Sequence, residues 1–464
     1  MTTTPTTPST SSLGRDLSQP TTPDDAVQRL MAEETEERHA TAASPEVLGE
    51  GQGADAALRE RLGAAVETLR EEILGLSHDV HDHPEVGYTE HHAVAAVASL
   101  LERHGVAFEQ GVYGMETALR AQIGSANAGA PTIAILCEYD ALPGIGHGCG
   151  HNVMCANSVG AFLALAELEA AAPGTLPGRV ILQTTPAEES DTAKERLALA
   201  GMLDGVDAAI QTHSYARDVV HQTWLGVRRM RAVFTGVPSH ASSQPFMGRN
   251  ALDAATLALT GIGLLRQQIL PMDRVHAIVV DGGQVPNIIP ERTELSLFVR
   301  SKHLETLKDL VGRVEDVLRG AALMTGTGQE ILTPDYSSEM PVRPNGPLSA
   351  AWTRSQRERG RDPLPFGVLS ETVAAGTDFG NVSQRVPGIH PLIGVTSGPA
   401  VALHTREMTV AAGSATGDAA AVDGAYGLAA VALDWLVDPA LREAVRADFE
   451  ASGGAVDVAG FWED

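Results

Sequence analysis

Lysine is nearly absent from this sequence: of 33 basic residues only Lys194, Lys302 and Lys308 are lysines, against 59 acidic ones. The formal charge of −26 leaves no general basic surface for neutralising phosphates, which argues against a nucleic-acid binder and against a protein held on an anionic membrane. Any acidic substrate would need cations supplied locally. Aromatic residues make up only 4% of the chain, so the core must be aliphatic and alanine-rich, which suits layered helices and sheets better than a β-sandwich. Cysteine is scarce, odd in number and clustered, at Cys137, Cys149 and Cys155. That is unlike the even framework of a disulfide-rich secreted domain, and a reducing cytoplasm is the expected compartment. No uninterrupted apolar run approaches the roughly 20 residues a membrane helix needs. The stretch from Ala156 to Leu168 is broken by Asn157, Ser158 and Glu167. The opening MTTTPTTPSTSSLGRD has neither an apolar h-region nor paired arginines, so no secretion signal is expected. No internal repeat emerges, which argues against a solenoid.

What is present suffices for a large core, with 43% of 464 residues hydrophobic, and the length predicts two domains plus tails. Residues 1–58 are rich in Thr, Pro, Ser and acids with few large apolar side chains. They cannot offset the entropy of ordering and are expected to be a mostly disordered tail, with one short helix near 24–38. From Ala56 onward Leu58, Leu62, Val66, Leu69, Ile73 and Leu76 recur at three-to-four spacing and predict helix, followed by a second helix over 89–104. The run TIAILC at 132–137 is apolar at nearly every position, as in a strand buried on both faces. A helix over 153–171 and strands at 179–184 and 208–210 follow, and strand, helix, strand at this spacing predicts a parallel α/β sheet. Over 223–335 the order becomes β-α-β-β-α-β, the ferredoxin-like arrangement. The expected fold class is therefore α/β, with a mostly parallel-sheet domain from 59–222 and 336–440, an inserted ferredoxin-like domain over 223–335, and a short acidic tail over 441–464 expected to fray.

The densest chemical signal is Gly146-His147-Gly148-Cys149-Gly150-His151-Asn152, lying where a buried strand has ended and a helix is about to begin. Loops at the carboxyl ends of parallel strands are where α/β proteins place their sites. Cys149 and His151 can converge on one metal because the glycines impose no Cβ clash and both side chains are zinc-class ligands; the bland reading is a glycine-rich turn with a buried thiol. Pro186-Ala187-Glu188-Glu189 follows the next strand. Adjacent carboxylates there can point differently, one toward a metal and the other toward a water as general base, although a solvated acidic loop is the commoner fate of such a pair. His213 follows a third strand and His404 lies in the segment that rejoins the sheet. Each histidine alone is ordinary, but together the set offers enough donors for two ions about 3.5 Å apart.

Several stretches in the right order resemble the M20 metallopeptidase and amidohydrolase family: Glu138-Tyr139-Asp140-Ala141-Leu142-Pro143-Gly144, GHGCGHN, TPAEE, His213, Gly236-Val237-Pro238-Ser239-His240-Ala241, GRNALDA at 248–254, the segment from Gly283 to Pro290, and GTDFGNVS at 376–383. Within that family they are similar to the branch containing the p-aminobenzoyl-glutamate hydrolases and the M20-domain dipeptidases, over residues 60–437. The resemblance implies Cys149, His151, Glu189, His213 and His404 as ligands of two divalent ions, zinc or manganese, with Glu188 as general base. It also implies that His240 polarises the scissile carbonyl from a partner subunit and that Asn287 helps hold the substrate carboxylate, hence a homodimer formed through the inserted domain. The His-x-Asp ligand motif of other branches is replaced by Cys137-Glu138-Tyr139-Asp140, which sets Asp140 aside as a ligand and supports the Cys149 variant.

The implied activity is a metal-dependent amidohydrolase or dipeptidase releasing a free amino acid from dipeptides or N-acyl amino acids. A p-aminobenzoyl-glutamate-type hydrolase is the alternative, and a metal-binding scaffold protein without activity is a weaker one, since Glu188 and all five ligand positions are retained. A thiol-redox role for Cys149 and Cys155 lacks the Cys-x-x-Cys spacing such chemistry uses.

Overall fold

The apolar run at 132–137 forms a strand with all six residues buried, and the rest of a sheet is built outward from it. The computed structural model describes residues 18–21, 23–125, 127, 129–334, 336, 338–397 and 401–463. The chain falls into two units, Met1–Ala43 and Ser44–Asp464. In the first, the short helix expected near 24–38 spans Ala26–Thr41; disorder expected over 1–17 lies outside the described residues.

In the second unit the strands run in chain order as β1 Phe108–Gln110, β2 Leu119–Gly124, β3 Thr132–Cys137, β4 Arg179–Thr184, β5 Ala208–Ile210 and β6 His213–Tyr215. They continue as β7 Gly226–Thr235, β8 Arg274–Asp281, β9 Arg292–Ser301, β10 Gly328–Leu332, β11 Ser338–Glu339, β12 Gly388–Ile389 and β13 Leu392–Gly394. The main sheet has the order β1-β2-β4-β3-β5-β12. Its β4, β3, β5 and β12 are mutually parallel, and β2 and β1 add an antiparallel edge that the apolar pattern does not announce. Side chains of β3 alternate between two cores, Ile133 and Ile135 on one face and Ala134 and Leu136 on the other. The first face is covered by the helices His151–Ala171 and Ala415–Val437, which pack closely on each other where Gly160 meets Ala425 and Gly424 meets Asn157. Both are long and apolar enough to cross a membrane by composition, but 78% and 89% of their apolar windows are buried inside the protein, as core helices are.

The stretch from β7 to β10 follows the expected β-α-β-β-α-β order and makes an antiparallel sheet, β10-β7-β9-β8, with β11 added along the start of β7. Helices Ala251–Leu265 and Leu304–Thr325 cover one face, and Phe234, Leu297, Val299, Leu310, Val314 and Leu318 form a core separate from that of the main sheet. The opposite face carries Arg229, His276, Phe298 and Arg300.

Both expected tails need correction. The end over 441–464 is not frayed: Asp438 caps a helix, Pro439–Ala451, by accepting from the Ala440 and Leu441 amides, and Leu441, Val445 and Phe449 recur every four residues as its buried face. Further on, Val458 is buried and Arg228 stacks over Trp462 at 4.3 Å. At the other end, residues 48–55 are not loose either. Leu48 and Ala54 are buried, the Leu48 amide donates to the Ala350 carbonyl at 3.1 Å, and the Gly53 amide donates to Asp438 at 2.8 Å. The Ala54 amide donates at 2.8 Å to Asp434, a fully buried carboxylate that also pairs with Arg59 and Arg354. These contacts are polar and distant in sequence, so composition gave no sign of them.

A chain beginning at Ala56 is therefore expected to be less stable than one beginning at Ser44. A charged hydrogen bond of the Ala54 type is worth about 1.5–3 kcal/mol. Thermal unfolding of the two truncations checks this, and coincident transitions would count against it.

Candidate metal centre and cleft

Three parallel strands end on the same side of the main sheet, and each is followed by a loop bearing chemistry: β3 by the stretch from Glu138 to Asn152, β4 by Pro186 to Glu189, and β5 by Gln211 to His213. His404 is brought to them by a backbone hydrogen bond from its amide to the Gly148 carbonyl at 3.0 Å. Gly150 sits at φ +72, a conformation glycine adopts without cost, and turns the chain between Cys149 and His151, the first residue of the 151–171 helix. A Cβ there would lie 2.6 Å from that of Ser214.

The donor atoms of Cys149, His151 and His213 lie within 4.8 Å of one another, and so do those of Cys149, Glu189 and His404, and those of His151, Glu188 and Glu189. Cys149 belongs to two of these groups, so one sulfur faces both candidate ion positions. The Glu189 carboxylate is 4.0 Å from His151 Nε2 through one oxygen and 3.5 Å from His404 Nε2 through the other. All six residues nominated for the centre thus meet in one place.

The imidazoles are aimed by their far nitrogens. His151 Nδ1 lies 2.8 Å from the Asp140 carbonyl and 3.2 Å from its carboxylate, so Nδ1 carries the proton and Nε2 presents its lone pair. His213 Nδ1 does the same toward the Ser214 carbonyl at 2.7 Å. Asp140, set aside as a ligand by the sequence, accepts the Glu189 amide at 2.9 Å with its second oxygen and so orients two ligand positions at once. Among the described residues, His151 Nε2, Glu189 Oε1 and Glu138 Oε2 are buried with no hydrogen-bond partner. Unpaired acceptors converging in this way fit a bound cation. Although burial opposes the imidazolium, Asp140, Cys149 and Glu138 together hold His151 well above its usual pKa, so the surroundings attract positive charge, which either a proton on Nε2 or a bound ion would supply. Burial, then Glu138, Asp378 and Glu189, push Glu188 well above the carboxylate range.

Beneath Glu188 lies a feature that sequence reasoning missed. Lys194 is fully buried, pairs with Glu138, and reaches Asp378 at 2.5 Å while its amide donates to Asp378 at 2.9 Å. The signal was available in the rarity of lysine, since one of only three follows the Glu-Glu pair by five residues, in the first turn of the helix Ala193–Leu199. Strained backbone also concentrates here. Of the five non-glycine residues with positive φ among the described residues, Tyr88 packs beside the loop while Ala187 at +62 and His404 at +62 belong to the centre itself; each such residue costs of order 1–3 kcal/mol.

The centre opens into a cleft of about 450 Å³ whose other wall is the exposed face of the second sheet, with Arg229, Arg274, His276, Phe298 and Arg300. Arg229 is neutralised by Glu339. Arg300 stacks on Phe298 at 5.3 Å, and its Nε has no partner among the described residues. His240 and Asn287 do not line this cleft. They lie side by side on the inserted domain, joined by the Ala241 amide to the Asn287 carbonyl at 3.0 Å. His240 Nδ1 accepts from the Ser242 and Ser243 amides at 3.3 Å, leaving Nε2 as the protonated, outward-facing donor.

Residues 225–324 match a peptidase dimerisation domain. The chain is 37% identical over 404 residues to the Xaa-Arg dipeptidase of Mus musculus, spanning 85% of this chain and 92% of that protein. It is 30% identical to a component of the p-aminobenzoyl-glutamate hydrolase of Escherichia coli K12, spanning 75% of each. Among solved structures, it shares its fold with a dinuclear metal-binding M20 peptidase of Bacillus subtilis, at a TM-score of 0.59 and 22% identity over 80% of this chain and 99% of that one.

Removing the ammonium beneath the centre should strand two buried carboxylates. Lys194→Met is expected to cost about 3–5 kcal/mol in the metal-free protein, with partial recovery in Lys194→Met/Glu138→Gln. Urea unfolding measures both, and a loss below about 1 kcal/mol would show the trio to be solvated.

Proposed function

The chain belongs to the M20 metallopeptidase and amidohydrolase family and is a metal-dependent hydrolase of amide or peptide bonds, and from that premise we propose a substrate and a division of labour within the cleft. The substrate is a dipeptide or N-acyl amino acid with a free α-carboxylate, cleaved to release the amino acid. Cys149, His151, Glu189, His213 and His404 hold two divalent ions, and Glu188 is the general base. The observation that carries this reading is the placement of two adjacent carboxylates in one cleft: Glu189 lies between two imidazoles, 4.0 Å from His151 and 3.5 Å from His404, while Glu188 stands beside it on the wall it shares with Arg300, whose Nε has no partner among the described residues.

Two divalent ions held there would supply Lewis acidity toward the scissile carbonyl and would make the attacking water more acidic. Glu188 accepts that water's proton and returns it to the leaving amine. Arg300 receives the substrate carboxylate, and stacking on Phe298 keeps its guanidinium plane fixed. Thiolate and imidazole favour zinc, while carboxylates admit manganese. Arg274 and His276 beside Arg300 support the second reading, an acylated acidic amino acid of the p-aminobenzoyl-glutamate type with a second carboxylate to place.

The homodimer forms through the inserted sheet. Its edge strand β8 leaves Ile278, Val279 and Val280 exposed, and the matched dimerisation domain covers this region. The partner's lid then brings His240 Nε2 to the carbonyl oxygen as negative charge develops. Three buried, unpaired cysteines accord with a reducing cytoplasm.

Glu188→Gln is expected to abolish release of amine from a panel of dipeptides and N-acyl amino acids while both ions stay bound. Cys149→Ala should instead lower metal content, measured by elemental analysis beside activity. Substantial turnover by Glu188→Gln would remove it from its role. Loss of His240 should lower kcat by roughly 10²–10³ without loss of metal. Mixed His240→Ala and Glu188→Ala protomers should regain activity, because each heterodimer has one cleft free of both defects. No recovery despite demonstrated exchange would place His240 in its own protomer's cleft or in none.

A further inference from the structure

Glu188 is held by a backbone that would not hold itself. Ala187, the residue before it, sits at φ +62, in the left-handed region that a Cβ disfavours, and it is fully buried. Its amide donates to Glu90 Oε1 at 2.8 Å. Glu90 comes from a different part of the chain, the turn before the 91–103 helix, and is itself completely buried. Its second oxygen accepts the Thr117 hydroxyl at 2.9 Å, and the Thr117 carbonyl in turn accepts the Tyr139 hydroxyl. The same turn closes on the loop from above: a Cβ on Gly87 would lie 2.8 Å from Ala187 Cα and 2.5 Å from Ser190 Oγ, and Tyr88 donates to Asp191 at 2.9 Å. A buried carboxylate whose two oxygens are both engaged, one by the strained amide itself, is placed to keep that amide where it is. Burial and nearby Asp140 push the Glu90 carboxyl up to about 7, so a neutral side chain that keeps the carbonyl oxygen in place should serve as well as a charged one.

We propose that Glu90 is a positioning residue for the reaction, acting through the Ala187 amide to lock the left-handed turn that aims the Glu188 carboxylate. It touches neither substrate nor ions. This rests on the assignment of Glu188 as the base, but it predicts a property of the chain that can be read without turnover.

The test uses the full-length protein. In the metal-free form, hydrogen exchange at the Ala187 amide should be slow in the wild type and in Glu90→Gln, whose Oε1 can still accept, and fast in Glu90→Ala. In the metal-loaded form Glu90→Ala should lose roughly 10- to 100-fold in kcat with metal content and KM near wild type, and Glu90→Gln should keep most of its rate. The discriminating variant is Glu90→Ala/Ala187→Gly, compared with Ala187→Gly alone. Glycine enters the left-handed region without penalty, so it should restore most of the lost kcat if Glu90 serves to hold that conformation. Should Glu90→Ala fail to fold, Glu90→Asp, which keeps the charge but shortens the reach, carries the same expectation and the same suppression. Unchanged exchange at Ala187, or a rate loss that Ala187→Gly leaves in full, would overturn the proposal. A wild-type protein that cleaves no dipeptide or N-acyl amino acid would instead sink the catalytic reading, and the exchange result would still stand on its own.

Discussion

The concentration of negative charge in a space too dry to screen it governs this molecule. Glu188 and Glu189 on the cleft wall and Glu138, Asp140 and Asp378 behind them lie close together, and carboxylates so close cannot all stay ionised without cations among them. The protein supplies one such cation permanently in Lys194 and leaves the remaining demand open on the solvent side, where His151, His213, His404 and Cys149 stand ready. The buried ammonium separates the two jobs. One Glu138 oxygen and Asp378 are tied down by it, while the other Glu138 oxygen, Glu189 Oε1 and His151 Nε2 keep no hydrogen-bond partner among the described residues.

Much of the scaffold serves to hold that arrangement against its own repulsion. Strands β3, β4 and β5 deliver three loops to one edge, where Asp140 bonds to Glu189 and Ser214 to Gly150 across them, Asp140 also holds His151 within its own loop, and Glu90 reaches Ala187 from the turn before the 91–103 helix. The second sheet has its own core and contributes no ligand. What it adds is the positive wall opposite, Arg274 and Arg300, facing the candidate metal ligands across the cleft.

The elements legible in the sequence were those with strong local periodicity. The run at 132–137, the six-element pattern of the inserted sheet and the Leu304–Thr325 helix all stand where apolar spacing put them. The metal-type residues were legible because glycine-rich and acidic loops after buried strands carry their own signature. What stayed hidden was held by contacts with no local pattern. Asp140 could be read as a ligand or a bystander, and only the fold shows it behind His151 and Glu189. Glu90, inside the stretch expected to be helix over 89–104, and Lys194, one of three lysines, carry no local pattern that marks them as buried. The acidic C-terminal stretch was misread because overall polarity outweighed the four-residue recurrence of Leu441, Val445 and Phe449.

The contact between residues 48–55 and the end of the 415–437 helix has a consequence for the order of events during synthesis. Asp434 and Asp438, which receive the Ala54 and Gly53 amides, emerge from the ribosome nearly 400 residues after their partners. The inserted sheet spans an uninterrupted stretch of about 100 residues and has all the buried members of its core within it, with only Trp462 packing on from the end of the chain. The ligand-bearing body must wait with its first helices and central strands exposed until the last long helix arrives to cover them. The component that carries no ligand is thus positioned to finish first, and the metal centre can close only near the end of translation.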